Sequence, residues 1–203
     1  MKSLSLLVEG TLDEAVGRRI IEYTDGTVQT VYGKKGVSYI KKKLSGFNKA
    51  AVAIPVLALV DLMDTKSDCP KQVVEEWLPQ RHKNMVFRLV VPEIESWIMA
   101  DWAGISTFLA VSKNKVPDNP EQVADPKRTL VGLARMSHSE RIRRLLVPAR
   151  GSTATEGPAY TSELQRFVRD QWNIGEAIDR APSLKRCVGA VTRFFMQQQS
   201  QEN

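Results

Sequence analysis

The first half of the chain alternates apolar runs with amphipathic segments. Four runs are apolar or rich in β-branched residues, as is typical of strands: 4–8, 27–32, 54–60 and 85–91. Between them, apolar residues recur at helical spacing in three segments, marked by Val16 and Ile20, by Ile40 and Leu44, and by 70–78. Strands that alternate with helices usually form a parallel sheet covered by those helices. The pattern therefore predicts an α/β fold with a mostly parallel central sheet of about four strands.

The second half of the chain has helical periodicity throughout. It predicts six helices, at 93–102, 105–110, 126–136, 138–147, 161–171 and 183–199. Three starts carry capping signals: the boxes Thr11 to Glu14 and Ser137 to Glu140, and Asp125-Pro126 as N-cap and first-turn proline. We therefore predict an α/β domain at 1–102 and a helical extension at 103–203 packed on it.

Composition and charge narrow the class of protein. The chain has 203 residues, 42% of them hydrophobic, which excludes wholesale disorder. No uninterrupted apolar stretch is long enough to predict a membrane span. The apolar run at the start of the chain is too short for a signal peptide and has an acid at position 9, so we expect a cytoplasmic protein. The two cysteines give neither a disulfide framework nor a zinc cluster.

The net charge of +6 is concentrated in two basic blocks. Residues 33–49 hold six lysines and no acid, and residues 127–150 hold seven basic residues against one glutamate. Such blocks attract phosphate backbones, although solvated helix faces are the alternative. The candidate nucleic-acid contacts are Lys34, Lys35, Lys41, Lys42, Lys43, Arg141, Arg143 and Arg144.

Acidic residues follow three of the predicted strands. They are Glu9, then Asp61 with Asp64 and Asp68, then Glu93 and Glu95. The carboxyl ends of parallel strands lie along one edge of the sheet, where binding sites form. Neighbouring carboxylates repel unless a cation or a shared proton compensates, and oxygen ligands suit Mg²⁺ or Mn²⁺. Each acid could instead cap or begin the next helix.

These motifs resemble a known superfamily. LLVEGTLDE and VLALVDLMD are similar to the topoisomerase–primase (TOPRIM) domain, which has Glu-Gly after its first strand and acids after a later one. PEIESWIMADW, VPDNPEQVADPK and PSLKR resemble a bacterial TOPRIM-like branch. That branch is encoded beside ABC-type ATPases related to the overcoming-lysogenization-defect (OLD) nucleases and is linked to anti-phage defence. The resemblance implies a Rossmann-like fold and runs from about residue 6 to 186.

The resemblance also implies roles for individual residues. Glu9 matches the general acid/base or metal-binding glutamate, and Asp61 matches the first metal-binding acid. The superfamily's Asp-x-Asp pair is interrupted because position 63 is Met63, which leaves Asp64 and Asp68 as alternatives for the second ligand. Glu93 and Glu95 match the branch's paired glutamates. Lys127 lies in its Asp-Pro-Lys motif, where it would bind the scissile phosphate or merely orient a helix.

Two functions from different classes follow. The first is a metal-dependent nuclease that hydrolyses phosphodiester bonds in DNA or RNA with Mg²⁺ or Mn²⁺, as the effector of a partner ABC-type, OLD-like ATPase. The second is a non-enzymatic TOPRIM-like module that binds such an ATPase or nucleic acid. The sequence is also compatible with a homo-oligomer. Gly33-Lys34-Lys35-Gly36 lacks the spacing of a phosphate-binding P-loop, so nucleotide hydrolysis by this chain alone is not expected.

Overall fold

A computed structural model describes residues 2–202, except for the side chains of 201 and 202. Its strands are β1 Ser3–Val8, β2 Thr27–Gly33, β3 Val56–Asp61 and β4 Met85–Val90. Its helices are α1 Thr11–Tyr23, α2 Val37–Ala50, α3 Pro70–Trp77, α4 Ile94–Ala100, α5 Trp102–Leu109, α6 Pro126–Arg135, α7 Glu140–Leu146, α8 Tyr160–Asp170, α9 Ile174–Arg180 and α10 Pro182–Glu202. The predicted fold class, a parallel sheet flanked by helices with a helical second half, is confirmed.

The four strands form one parallel sheet in the order β2-β1-β3-β4. Leu6 of β1 lies opposite Leu57 of β3, and Asp61 at the end of β3 lies opposite Val90 of β4. The chain leaves β1 toward β2 on one side and then crosses to β3 on the other. The strand order therefore reverses between β1 and β3, and in open α/β sheets the carboxyl ends at such a reversal form the binding crevice.

Helices cover both faces of this sheet. Side chains of β1, β3 and β4 on one face, such as Leu7 and Phe87, share a buried apolar cluster with Ile40 and Leu44 of α2 and Val73 of α3. Successive strand residues point to opposite faces, so Leu6 and Leu59 face the other way. There α1 packs so closely that a Cβ on Gly17 would lie 2.9 Å from Leu6.

The C-terminal helix α10 also packs in the sheet-bearing part of the chain. Phe195 lies against the turn after α1, where a Cβ on Gly26 would lie 2.5 Å from the ring. The chain divides into a first unit, Met1–Val91 with Ser183–Asn203, and a second unit, Pro92–Pro182. This division differs from the boundary predicted at residue 102, because α4 lies in the second unit and nearly all of α10 in the first.

The second unit consists of helices α4 to α9. Its buried side chains include all seven residues of α4 and the aromatic rings of Tyr160, Phe167 and Trp172. Short α9 was not among the predicted helices; its N-cap is Asn173, whose side chain accepts a hydrogen bond from the Glu176 N–H. Across residues 2–202, no helix combines the length and the apolar character that crossing a bilayer requires.

Two predicted caps differ in the structure. α1 begins one residue earlier than expected, with Gly10 at the N-cap and Thr11 already helical, and Asp13 rather than Glu14 accepts the Gly10 N–H. Ser139, not Ser137, caps α7 by accepting the Ile142 N–H. The Asp125-Pro126 cap of α6 is confirmed, since Asp125 accepts the Arg128 N–H at 2.8 Å.

Candidate metal and nucleic-acid site

The reversal between β1 and β3 brings Glu9 and Asp61 together. Glu9 directly follows β1, and Asp61 is the last residue of β3. The Glu9 Oε1 accepts a hydrogen bond from the Asp61 backbone N–H at 2.9 Å, across 52 positions of sequence. The two predicted acids therefore meet at the carboxyl edge of the sheet, where the topology favours a site.

Two further carboxylates act on Glu9. Burial is the main cause that raises the pKa of Glu9 to about 8; the Asp61 N–H lowers it, and the negative charges of Asp64 and Asp13 raise it further. Asp64 lies in a 3-10 turn, Met63–Thr65, just after β3. Asp64 and Asp68, the two alternatives for the second ligand, are both exposed, and Asp64 is the one whose charge acts on Glu9.

Asp13 was not among the predicted site residues. It is only 6% exposed and accepts the Gly10 N–H at 3.0 Å, which holds it in the first turn of α1 beside Glu9. The available signal was its position three residues after Gly10, the position of the acid in a capping box. The sequence offers a second box with the same spacing, Thr11 to Glu14, which masks the signal of Asp13.

The donor atoms of this group suit a hard divalent cation. Glu9, Asp61 and Asp64 offer only carboxylate oxygens, the ligands that Mg²⁺ and Mn²⁺ prefer. Among the side chains that the structure describes, however, no three from His, Cys, Asp or Glu are arranged as a ready metal site. The Asp61 N–H engages one oxygen of Glu9, Oε1, and a carboxylate has a second oxygen.

A basic turn borders Glu9. The backbone N–H groups of Lys34 and Gly36 donate to the carbonyls of Val8 and Glu9, at 2.8 and 3.1 Å. Gly33 has φ of +96°, and a Cβ there would overlap the Val8 carbonyl oxygen, so only glycine fits. This close approach fixes the 33–36 turn beside the acids, and the Lys35 ammonium lies 5.4 Å from the ring centre of Tyr39.

The remaining predicted lysines differ in their surroundings. The Lys34 ammonium pairs with Glu14 at 3.1 Å, and Lys41 pairs with Glu76 at 3.2 Å and lies over the ring of Trp77. Lys42 and Lys43 are exposed on α2. All five predicted lysines therefore lie on or beside α2, with the 33–36 turn nearest to Glu9.

In the second unit, Glu93 meets the start of α6. It is the N-cap residue of α4, and its Oε1 accepts the Lys127 backbone N–H at 2.6 Å. An unpaired N–H at a helix start needs an acceptor, and a carboxylate there also complements the helix dipole. This contact gives Glu93 a structural role within its unit.

Glu95 lies in a buried polar cluster with Tyr160 and Lys127. The Tyr160 hydroxyl donates to Glu95 Oε1 at 3.2 Å, and the Lys127 ammonium lies 3.8 Å from the same oxygen. Burial, with repulsion from Glu93, raises the pKa of Glu95 to about 7. Burial and the nearby Glu95 charge raise the pKa of Tyr160 as well, which keeps its hydroxyl protonated.

Lys127 is held between two carboxylates. Its ammonium also lies 3.4 Å from Glu156. Burial by itself would lower the pKa of Lys127, but Glu95 and Glu156 raise it above its ordinary value, so the side chain stays cationic. Tyr160 and Glu156 were not predicted as site residues, because they lie far from the motifs that singled out Glu95 and Lys127.

A basic groove lies beside Lys127 in the same unit. It has a volume of about 960 Å³ and runs between α6 and the loop that follows α7, residues 147–155. Four basic residues line it: Lys127, Arg128, Arg135 and Arg150. Its one acid, Asp125, is engaged in capping α6. The groove therefore carries positive charge from the second basic block.

The three arginines predicted on α7 do not line this groove. Arg141 pairs with Glu163 at 2.6 Å, and the Arg143 guanidinium donates to the Ser137 carbonyl. Arg143 and Arg144 border a smaller cavity of about 500 Å³ with Arg135. As a surface for phosphates, the groove beside α6 gathers more unengaged positive charge than α7 does.

Comparisons with protein-family models, curated proteins and solved structures gave no match. The likeness to the TOPRIM superfamily therefore stays a prediction from the motif residues.

Proposed function

We propose that this chain is a metal-dependent nuclease that hydrolyses phosphodiester bonds in DNA or RNA. The observation that carries the proposal is the meeting of Glu9 and Asp61 at the strand-order reversal, with Asp64 acting on the same carboxylate. Hydrolysis of a phosphodiester requires a cation site and a positive surface that binds the phosphates. The carboxylate oxygens would supply the first and the neighbouring basic turn the second.

Glu9, Asp61 and Asp64 are the residues that would hold Mg²⁺ or Mn²⁺. Such an ion, when bound, neutralises phosphoryl charge and activates water. The chain's own groups would orient the substrate: the 33–36 turn and the exposed lysines of α2 would attract the phosphate backbone. Lys127, kept cationic by its two carboxylates, is the second unit's candidate for binding a phosphate.

The partner and the setting of this activity come from the motif resemblance. We propose that the chain acts in the cytoplasm as the effector of an ABC-type, OLD-like ATPase in anti-phage defence. The chain's lack of a P-loop is consistent with an ATPase supplied by another protein.

Cleavage by the purified full chain tests the proposal. With Mg²⁺ or Mn²⁺, wild type should nick DNA or RNA. Glu9→Gln should lower the rate at least about 100-fold, because the amide keeps the shape of the side chain but can act neither as a carboxylate ligand nor as a general acid or base. Glu22→Gln is the matched control on α1, since Glu22 is exposed and pairs with Arg19 at 3.3 Å. Equal cleavage by wild type and Glu9→Gln would contradict the assignment.

A second candidate is the non-enzymatic module that binds an ATPase or nucleic acid. Met63, at the place of the superfamily's second aspartate, favours it, as does the lack of a ready three-ligand group within residues 2–202. Absence of cleavage in either ion, together with retained binding of nucleic acid, would favour this module over the nuclease.

A further inference from the structure

A second basic cleft lies in the first unit, away from Glu9 and Asp61. It has a volume of about 260 Å³ and lies between β4, the residues just before it, and α10. Arg81, Lys83, Arg88 and Arg193 contribute positive charge, and the ten residues that line it include no Asp or Glu. Arg81 and Lys83 precede β4, so the cleft begins at the amino-terminal edge of the sheet, opposite the carboxyl edge that holds the acids.

Arg88 is the unusual residue of this cleft. It is the fourth residue of β4, partly buried, where strand neighbours on both sides are apolar. Burial lowers the pKa of Arg88, and the positive charges of Arg81, Arg186 and Arg193 lower it further. The nearby Cys187 supplies no counter-charge, because burial raises the pKa of its thiol to about 12 and leaves it neutral at pH 7.

Several guanidinium groups around one cavity repel one another. A partly desolvated cation among like charges is unfavourable, and a bound anion would offset both the repulsion and the lost hydration. The arginines come from the end of the α3–β4 connection, from β4 and from α10, so three separate elements converge on the same space.

We propose that the cleft lined by Arg81, Arg88 and Arg193 is a binding site for a phosphate group. The planar fork of arginine matches phosphate oxygens with two parallel hydrogen bonds, and such bonds to ions are stronger than those between neutral groups. At 260 Å³ the cleft is just smaller than ordinary ligand pockets of about 300–1,000 Å³, so it suits a phosphate group better than a whole nucleotide.

This site is independent of the proposed nuclease. None of its arginines belongs to the basic blocks 33–49 and 127–150, and no metal is required for binding. The phosphate could be free in solution or could be the terminal phosphate of a nucleic-acid strand. The chemistry of recognition is the same, and the experiment separates the two sources.

Calorimetric titration with inorganic phosphate in EDTA tests the site on the full chain. Wild type should bind phosphate, while Arg88→Met and Arg193→Gln should each weaken binding about tenfold or more, because each loses charged hydrogen bonds. Arg193 is exposed, so its variant does not endanger folding, and Arg88→Met keeps an apolar stem in the sheet. Lys71→Gln, which removes an exposed charge from α3, should bind like wild type.

The same titration with a short oligothymidine, with and without a 5′-phosphate, identifies the source. Arg193-dependent binding of the phosphorylated strand alone supports the site and assigns it to strand ends. Binding of inorganic phosphate, with no difference between the two strands, supports the site and assigns it to free phosphate. The proposal would be overturned if wild type bound neither inorganic phosphate nor the phosphorylated strand, or if wild type and both arginine variants bound equally. Because EDTA removes the divalent ions that cleavage needs, none of these outcomes depends on cleavage.

Discussion

Two groups of carboxylates, one in each unit, are held in place by different means. Glu9 in the first unit is positioned by backbone: the end of β1, the Asp61 N–H and the tight 33–36 turn. Glu95 in the second unit is positioned by side chains, the Tyr160 hydroxyl and the Lys127 ammonium. The first group brings carboxylates toward one another, whereas the second already contains its own cation. The contrast makes the first group, rather than the second, the site at which we propose that a metal ion binds.

The pH dependence of stability gives the largest expected effect on the second group. The pKa of Glu95 is about 7 in the folded protein against 4.5 for an ordinary glutamate, so the folded state keeps this proton longer than the unfolded chain. The contribution of Glu95 to the unfolding free energy is therefore fully present below about pH 4.5 and is lost as the pH rises through about 7. We expect wild type to lose about 3 kcal/mol more unfolding free energy than Glu95→Gln between pH 5 and pH 8.

Urea unfolding of both proteins in EDTA at the two pH values measures this difference. Other titrating groups, including Glu9, are present in both proteins and cancel. Parallel pH profiles for wild type and Glu95→Gln would mean that the side chains around Glu95 do not hold it as a buried neutral acid.

Because backbone contacts hold the first group in place, a substitution at Gly33 should lower the unfolding free energy. Gly33→Ala combines a positive φ with an overlap on the Val8 carbonyl, and should lower the unfolding free energy by about 2 kcal/mol. Gly36→Ala is the matched control in the same turn, because its φ is also positive but its Cβ would meet nothing within 4 Å. Chemical denaturation compares the two, and an equal loss for both variants would show that close approach to β1 does not matter.

The smallest effect is expected at Tyr160. Tyr160→Phe removes the hydroxyl that donates to Glu95 and should lower the unfolding free energy at pH 8 by about 1 kcal/mol. Tyr23→Phe is the control, because Tyr23 is 46% exposed. Urea unfolding is again the measurement. If the unfolding free energy changed no more than in the control, the Tyr160 hydroxyl would not contribute to holding Glu95.

Much of the fold could be predicted from the sequence because its signals are local. The apolar runs identified all four strands, and Asp125-Pro126 identified the start of α6. The seven-residue α9 escaped because two turns give too few positions to establish a period. The placement of α10 in the first unit depends on packing, such as that of Phe195 against Gly26, which periodicity does not encode.

The candidate site was predictable only in part, for a similar reason. Glu9 and Asp61 follow strands, so parallel topology was enough to bring them together. The contact of Glu93 with the Lys127 N–H joins residues 34 positions apart, and no local pattern marks it. The same holds for the phosphate cleft, because Arg81, Arg88 and Arg193 belong to no basic run in the sequence.

Titration with Mn²⁺ tests the distinction between the two groups most directly. Calorimetry should detect Mn²⁺ binding to wild type, a loss of affinity of about tenfold or more in Glu9→Gln, and little change in Glu95→Gln, because only the first group supplies the ligands. Absence of Mn²⁺ binding to wild type, or a loss in Glu95→Gln as large as that in Glu9→Gln, would contradict the account.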